Sequence, residues 1–297
     1  MTFLRGSLPA LVTPLTPTGA VHEDDLATLV ARAAADGASG VLVAGSTGEG
    51  ALLEADQRVQ VTRRARTVID AGPGSTTLVA GATGPTVTAL QADVARLAAA
   101  GADLVLVLAP STYPLHVDEL VDLHVTVADA AEVPTLLYHL PQYTGSSLTP
   151  DALRELATHP RIVGLKDSSP DAERRASFIE AVGGTDGFAV LTGHAPTLRA
   201  ALEAGADGSI TAIANVRQRQ IASLHEAVAT GDGAGAAHEQ AALTRTTEAL
   251  AAVGSSPPAV LKAALQLDGT IAERWCRRPL RSVPAGRLDH VRTAMMR

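Results

Sequence analysis

The stretch IVGLKDSS, residues 162–169, ends a short apolar run in a lysine. Only two of the 24 basic residues are lysines, Lys166 and Lys262, and arginine serves everywhere else. A free amine condenses with a carbonyl to an imine, an electron sink for making or breaking C–C bonds. A guanidinium keeps its charge and cannot do this. An ordinary lysine, with a pKa of about 10.4, is under about 0.1% neutral at pH 7, so imine chemistry requires a desolvated site. The competing reading of this stretch is an ion pair between Lys166 and its neighbour Asp167 on a surface rim.

Two other stretches could serve the same chemistry. GSTGEG, residues 45–50, directly follows an apolar run. It lacks the G-x-x-x-x-G-K-[ST] spacing of a phosphate loop and fails the G-x-G-x-x-G spacing. It does offer backbone N–H groups and the hydroxyls of Ser46 and Thr47, which suit a carboxylate; otherwise it is a glycine-rich turn. YHLPQYTG, residues 138–145, places Tyr138 at the end of a run just before the lysine run. A phenol there can relay protons if it meets a partner, or it is a capped core aromatic. The three tyrosines, Tyr113, Tyr138 and Tyr143, all fall in predicted loops or strand ends, which favours a site.

The elements that must position these groups follow from pattern. Short β-rich runs alternate with longer helical ones, as in repeated βα units around a parallel sheet. Eight runs are predicted as strands: 10–13, 40–45, 77–82, 103–109, 135–140, 161–166, 188–193 and 208–215. Helices are predicted over 23–36, 55–70, 86–99, 117–131, 151–158, 171–182, 196–204 and 216–230. The segments AADGASGVLVAG, AAAGADLVLVLA and EAGADGSITAIA form a weak repeat in which a helix closes on glycine and a strand follows. This predicts an α/β fold, a (β/α)8 TIM barrel, over residues 1–232. Helices at about 235–252, 257–267 and 285–296 form a C-terminal helical extension, 233–297, packed on the barrel as one structural unit. Period 2 places Ile162, Gly164 and Lys166 on one strand face, so Lys166 projects inward at the C-terminal barrel end, where barrel enzymes keep reactive groups.

Composition bounds the partners. With 297 residues, 46% hydrophobic residues and 19% charged ones, the chain can bury a large single core. A formal net charge of -7 argues against nucleic-acid or anionic-membrane surfaces and for a small-molecule substrate. A lone cysteine, Cys276, excludes an intrachain disulfide framework. The N-terminus has no signal-peptide core and no apolar run approaches about 18 residues, so a cytoplasmic location is expected.

Together, PALVTPLTPTGAV, GSTGEGALL, VLVLAP, YHLPQYTG, GLKDSS, GADGSITAIAN, PPAVLKAAL and CRRPL, in this order and spacing, resemble the dihydrodipicolinate synthase and N-acetylneuraminate lyase family of pyruvate-dependent class I aldolases. The resemblance covers nearly the whole chain. It implies a homotetramer built as a dimer of dimers, with no metal and no organic cofactor. It implies that Lys166 is the Schiff-base lysine and Tyr138 the proton relay. Ser46 and Thr47 match the pair that binds the pyruvyl carboxylate, with Ser46 also linked to the tyrosine. Gly193 and Ile210 match pocket-lining positions.

The departures from the family pattern bear on the substrate. Dihydrodipicolinate synthases place an arginine for aspartate semialdehyde where this chain has Tyr143, and an asparagine where it has His139, so both are counted among substrate-binding positions. Sialic-acid lyases carry an Asp-Glu pair where this chain has Ala195 and Pro196. Many members use an aromatic after the strand-four proline, reaching a neighbouring subunit's site; here the ungapped position is Thr112, and Tyr113 follows. The expected activity is therefore reversible aldol chemistry between pyruvate and an aldehyde, of the 2-keto-3-deoxy sugar acid aldolase type. The alternatives are 4-hydroxy-tetrahydrodipicolinate synthase, a 2-oxo sugar acid dehydratase, or a non-catalytic oxo-acid-binding protein. A phosphosugar isomerase is disfavoured, since TGHAPT and ANVRQ offer no glycine-rich phosphate cradle.

Overall fold

Apolar runs of period 2 become strands, and the stretches between them become helices started by capping side chains. Thr86, for example, accepts from the Ala89 amide at 3.2 Å, and Asp171 from that of Arg174 at 2.9 Å. The structure, a computed structural model, describes residues 4–72, 74 and 76–296. Its strands are β1 (Gly6–Pro9), β2 (Gly40–Val43), β3 (Thr77–Ala82), β4 (Leu104–Leu108), β5 (Thr135–His139), β6 (Ile162–Asp167), β7 (Ala189–Thr192) and β8 (Gly208–Thr211). Neighbours pair in parallel in the order β1-β8-β7-β6-β5-β4-β3-β2. Bonds from Ser39 N to Ser7 O (3.0 Å) and from Leu11 N to Leu42 O (2.9 Å) cross the remaining seam. The sheet thus forms a (β/α)8 barrel.

Helices α1 (Glu23–Ala35), α2 (Ala55–Ala71), α3 (Val87–Ala99), α4 (Val117–Ala130), α5 (Pro141–Thr144), α6 (Pro150–Leu156), α7 (Ala172–Val182), α8 (Leu198–Glu203) and α9 (Ala214–Thr230) occupy the connections and follow β8. Then come α10 (Gly233–Ala251), α11 (Pro257–Leu267) and α12 (Leu288–Met295), the C-terminal extension. Two sets of apolar side chains divide at the sheet. Leu8, Leu42, Leu106, Leu136, Leu191 and Ile210 belong to the cluster filling the barrel. Val41, Val43, Val105 and Val107 pack with the helices outside it.

Two local expectations need correction. The first strand is Gly6–Pro9, not residues 10–13. Past Pro9 the chain leaves the regular ladder, and the Asn215 side chain takes over part of its bonding, accepting from Val12 N at 3.0 Å and donating to Ala10 O at 2.7 Å. The uninterrupted apolar run LPALV carries no period that marks this transfer. In β6, Ile162 does not share a face with Lys166. Pairing with β5 jumps from Thr135–Ile162 to Leu136–Gly164, leaving Val163 as an extra residue. Such a bulge resets the alternation. Ile162 packs in the outer layer, Val163 against the barrel interior, and the inward facing of Gly164 and Lys166 is preserved.

Candidate active site

Past the same bulge, Tyr138 and Lys166 come level. Beyond it the register runs Leu137 against Leu165 and Tyr138 against Lys166, side by side at the C-terminal ends of β5 and β6. Lys166 is 3% exposed, and its Nζ lies 4.2 Å from the centre of the Tyr138 ring. Burial alone would raise the phenol's pKa. The positive charge of protonated Lys166 and hydrogen bonding from Ser46, Ser168 and Lys166 outweigh burial and hold Tyr138 below its ordinary value of 10.0.

Lys166 forms no ion pair among the described residues, and the rim pair with Asp167 is not formed. One residue along a strand, Asp167 faces the opposite way. Its carboxylate meets Arg175 Nε at 2.8 Å and His139 Nδ1 at 2.7 Å, and accepts from the Ser169 amide and hydroxyl, each at 3.1 Å. Burial would raise the Asp167 carboxyl, but these partners lower it. His139 is therefore not a pocket residue: its other ring nitrogen meets Ser147 Oγ at 3.0 Å, and its ring stands edge-on to Phe178. The assignment from its position after Tyr138 overlooked the alternation that turns it outward.

Around Lys166 opens a cavity of about 360 Å³. Ser46, Thr47, Tyr138, Tyr143, Gly193 and Ile210 line it, so six of the residues singled out by sequence converge with the lysine. A Cβ on Gly193 would fall 2.0 Å from Ser168 Oγ and 3.2 Å from Lys166 Cε, so a side chain there would displace both. Ser46 and Thr47 sit on a tight turn after β2, with Ala44 and Glu49 both at positive φ (51° and 59°). A Cβ on Gly50 would lie 1.8 Å from Ala44 O, so the turn closes only on glycine. Tyr143 lies on the rim, 63% exposed. Tyr113 lies outside the cavity of its own chain, 75% exposed on the loop after β4.

Sequence reasoning missed several lining residues. Gln142 and Ser168 flank the recognised ones, and Gln142 Nε2 donates to Ser168 O at 3.0 Å. Ser256, Pro257 and Pro258 at the start of α11, together with Leu280, supply a wall from the C-terminal extension. PPAVLKAAL was noticed only for its resemblance, with no role attached. Among the described residues, no group of three or more His, Cys, Asp or Glu is placed to hold a metal ion.

An amine buried at the mouth of a parallel barrel, with a phenol beside it and two hydroxyls in the same cavity, defines a class: lyases that work through a lysine imine. The sequence matches the Dihydrodipicolinate synthetase family over residues 3–296, and the chain belongs to that family. It is thereby a class I, pyruvate-dependent lyase or aldolase. It is 33% identical over 295 residues to a 4-hydroxy-tetrahydrodipicolinate synthase of Anaeromyxobacter dehalogenans, covering 99% of this chain and 97% of the relative. With the synthase of Pseudomonas aeruginosa it shares 32% over 234 residues, 78% of each chain. Among solved structures, a prophage protein of the dihydrodipicolinic acid synthase family from E. coli K12, in complex with pyruvate, superposes with TM-score 0.93 at 26% identity, over 99% of this chain and 98% of the other. A Ruminococcus gnavus sialic acid aldolase is 21% identical with TM-score 0.92 over 99% and 95%, a likeness of fold.

Proposed function

We propose that this enzyme joins pyruvate to, or releases it from, an uncharged, hydroxylated aldehyde, as a 2-keto-3-deoxy sugar acid-type aldolase. The observation that carries the reading is the charge of the cavity: Lys166 is the sole charged side chain among its lining residues. The amine of Lys166 attacks C2 of pyruvate, and loss of water leaves the imine. Release of a C3 proton gives the enamine, whose C3 bonds to the aldehyde carbon, and water then frees the product and the amine. Tyr138 carries the protons in these steps, helped by Ser46; Ser46 and Thr47 hold the pyruvyl carboxylate; Gly193 and Ile210 line the pocket. Pyruvate as the 2-oxo partner is supported by the E. coli relative solved with it.

Tyr143 occupies the rim position at which a synthase needs a cation for aspartate semialdehyde. A charged bidentate contact contributes roughly 1.5 to 3 kcal/mol, which a single neutral phenol hydrogen bond does not match. The names of the Anaeromyxobacter and Pseudomonas relatives favour the second reading, 4-hydroxy-tetrahydrodipicolinate synthase. Measuring kcat/KM for glyceraldehyde and for aspartate semialdehyde, each with pyruvate, separates the two. Glyceraldehyde is expected to be used at least about tenfold better. Efficient use of the semialdehyde would return the chain to the synthases. The proposed assembly is a tetramer of paired dimers, in which Tyr113 projects from one protomer to complete the relay of another.

A further inference from the structure

Glu49 is a carboxylate with almost no access to water, in a backbone conformation unusual for a side chain of its size, and Schiff-base chemistry has no use for it. It lies in the same turn as Ser46 and Thr47. Its amide donates to Ser46 O at 3.2 Å, while the next amide, Gly50 N, donates to Gly45 O at 2.9 Å. The Glu49 carboxylate thus extends from the bend that presents the two hydroxyls. A buried charge of this kind requires a partner, and every partner observed comes from the C-terminal extension. Lys262 of α11 forms an ion pair with Glu49 Oε1, and both side chains are fully buried. The Arg277 amide donates to Oε2 at 2.7 Å. The lysine's remaining bond, to Trp275 O at 2.8 Å, ties it to the same C-terminal segment.

Lys262 lies one helical turn beyond Pro258, on the same face of α11, and Pro258 with Ser256 and Pro257 forms a wall of the cavity. One ion pair therefore joins the hydroxyl-bearing turn to the helix whose start walls the same cavity. We propose that Glu49 and Lys262 are positioning residues that hold Ser46 and Thr47 at the spacing needed to grip the carboxylate of a 2-oxo acid. This rests on the reading that these two residues bind that carboxylate. The C-terminal extension then belongs to substrate binding as well as to packing.

The test is borohydride trapping of the pyruvate adduct across a range of pyruvate concentrations, with melting temperature and kcat measured alongside. In Lys262→Met the half-saturating pyruvate concentration should rise roughly 10- to 100-fold, the scale on which small misplacements of a binding group act. At saturating pyruvate, trapping should still reach one adduct per chain at Lys166. Lys262→Arg, which keeps the charge in a different shape, should rise less than Lys262→Met, a partial rescue. If Lys262→Met fails to fold, Lys262→Arg and Glu49→Gln are read against wild type instead, and each should raise half-saturation with trapping intact. Leu224→Ala, in the outer core of α9, serves as the control that lowers melting temperature without touching the turn. If half-saturation in the Lys262 and Glu49 variants stays within twofold of wild type while melting temperature falls as in Leu224→Ala, the pair is structural only and the proposal is overturned. Absence of any adduct in wild-type protein would instead overturn the Schiff-base reading beneath it.

Discussion

The chain's two lysines are both buried, Lys166 at 3% exposure and Lys262 at 0%, yet their surroundings differ in kind. Lys262 faces Glu49 and the Trp275 carbonyl, so its charge is matched by a carboxylate. Lys166 faces a phenol ring and an open cavity, while the adjacent carboxylate, Asp167, is turned away and consumed by Arg175 and His139. Equal burial thus leaves the two amines in opposite electrostatic settings. A carboxylate partner favours the ammonium form, and a site for imine chemistry has to withhold one. In β6 the alternation of a strand does the withholding: it separates two neighbours in sequence onto opposite faces of the sheet.

The largest expected effect tests that contrast directly. Pyruvate with borohydride should add one reduced pyruvyl group per chain, mapped to Lys166 by peptide mass. Lys166→Arg should abolish the adduct, since a guanidinium does not form an imine. An adduct on Lys262 would show that the ion pair with Glu49 does not silence an amine, and the comparison would break.

A smaller loss is expected from the phenol. Tyr138→Phe should leave trapping of pyruvate largely intact and lower turnover roughly 10²- to 10⁴-fold, the usual contribution of a positioned acid–base group. Unchanged turnover would mark Tyr138 as packing. Tyr113→Phe, assayed in parallel, should lose a comparable factor if a neighbouring protomer borrows that phenol; no loss would point to Thr112.

The smallest effect sharpens the rule from the other side, through a buried base that has no acidic partner among the described residues. Burial pushes the His124 imidazole down to about 4. The unfolded chain, with a pKa near 6.5, then takes up a proton that the folded chain refuses. Stability should fall as pH drops from about 6.5 toward 4 and gain no further loss from this group below that. At about 1.4 kcal/mol per pKa unit the contribution is at most about 3.5 kcal/mol. Thermal melts across this range should show a shallower slope for His124→Gln than for wild type; an identical slope would mean that the histidine is protonated in the fold.

Most element boundaries were legible because the signals that set them are local. Strand β3 and helix α11 match the expected spans, 77–82 and 257–267; most other elements depart at their ends, while β1 falls wholly before its expected span and the short α5 was not expected. Lys166 stood out through the scarcity of lysine and its place in a short apolar run. The turn at Ser46 and Thr47 stood out through its glycines. What needed knowledge of a second strand was the face of Ile162, set by the bulge against β5, whereas His139 could have been placed outward from its alternation with Tyr138 alone.

By itself, then, the sequence determined the alternation of strands and helices, the glycine turn and the identity of the two amines, since each depends on residues a few positions apart. Tertiary structure alone decided three things: the bulge at Val163 that levels Tyr138 with Lys166, the carboxylate that each lysine has or lacks, and the wall that α11 adds to the cavity. Glu49 and the Arg277 amide that holds it are 228 residues apart. No periodicity spans such a distance, because a contact of that range forms only when packing of the whole core offsets the entropy of bringing its ends together.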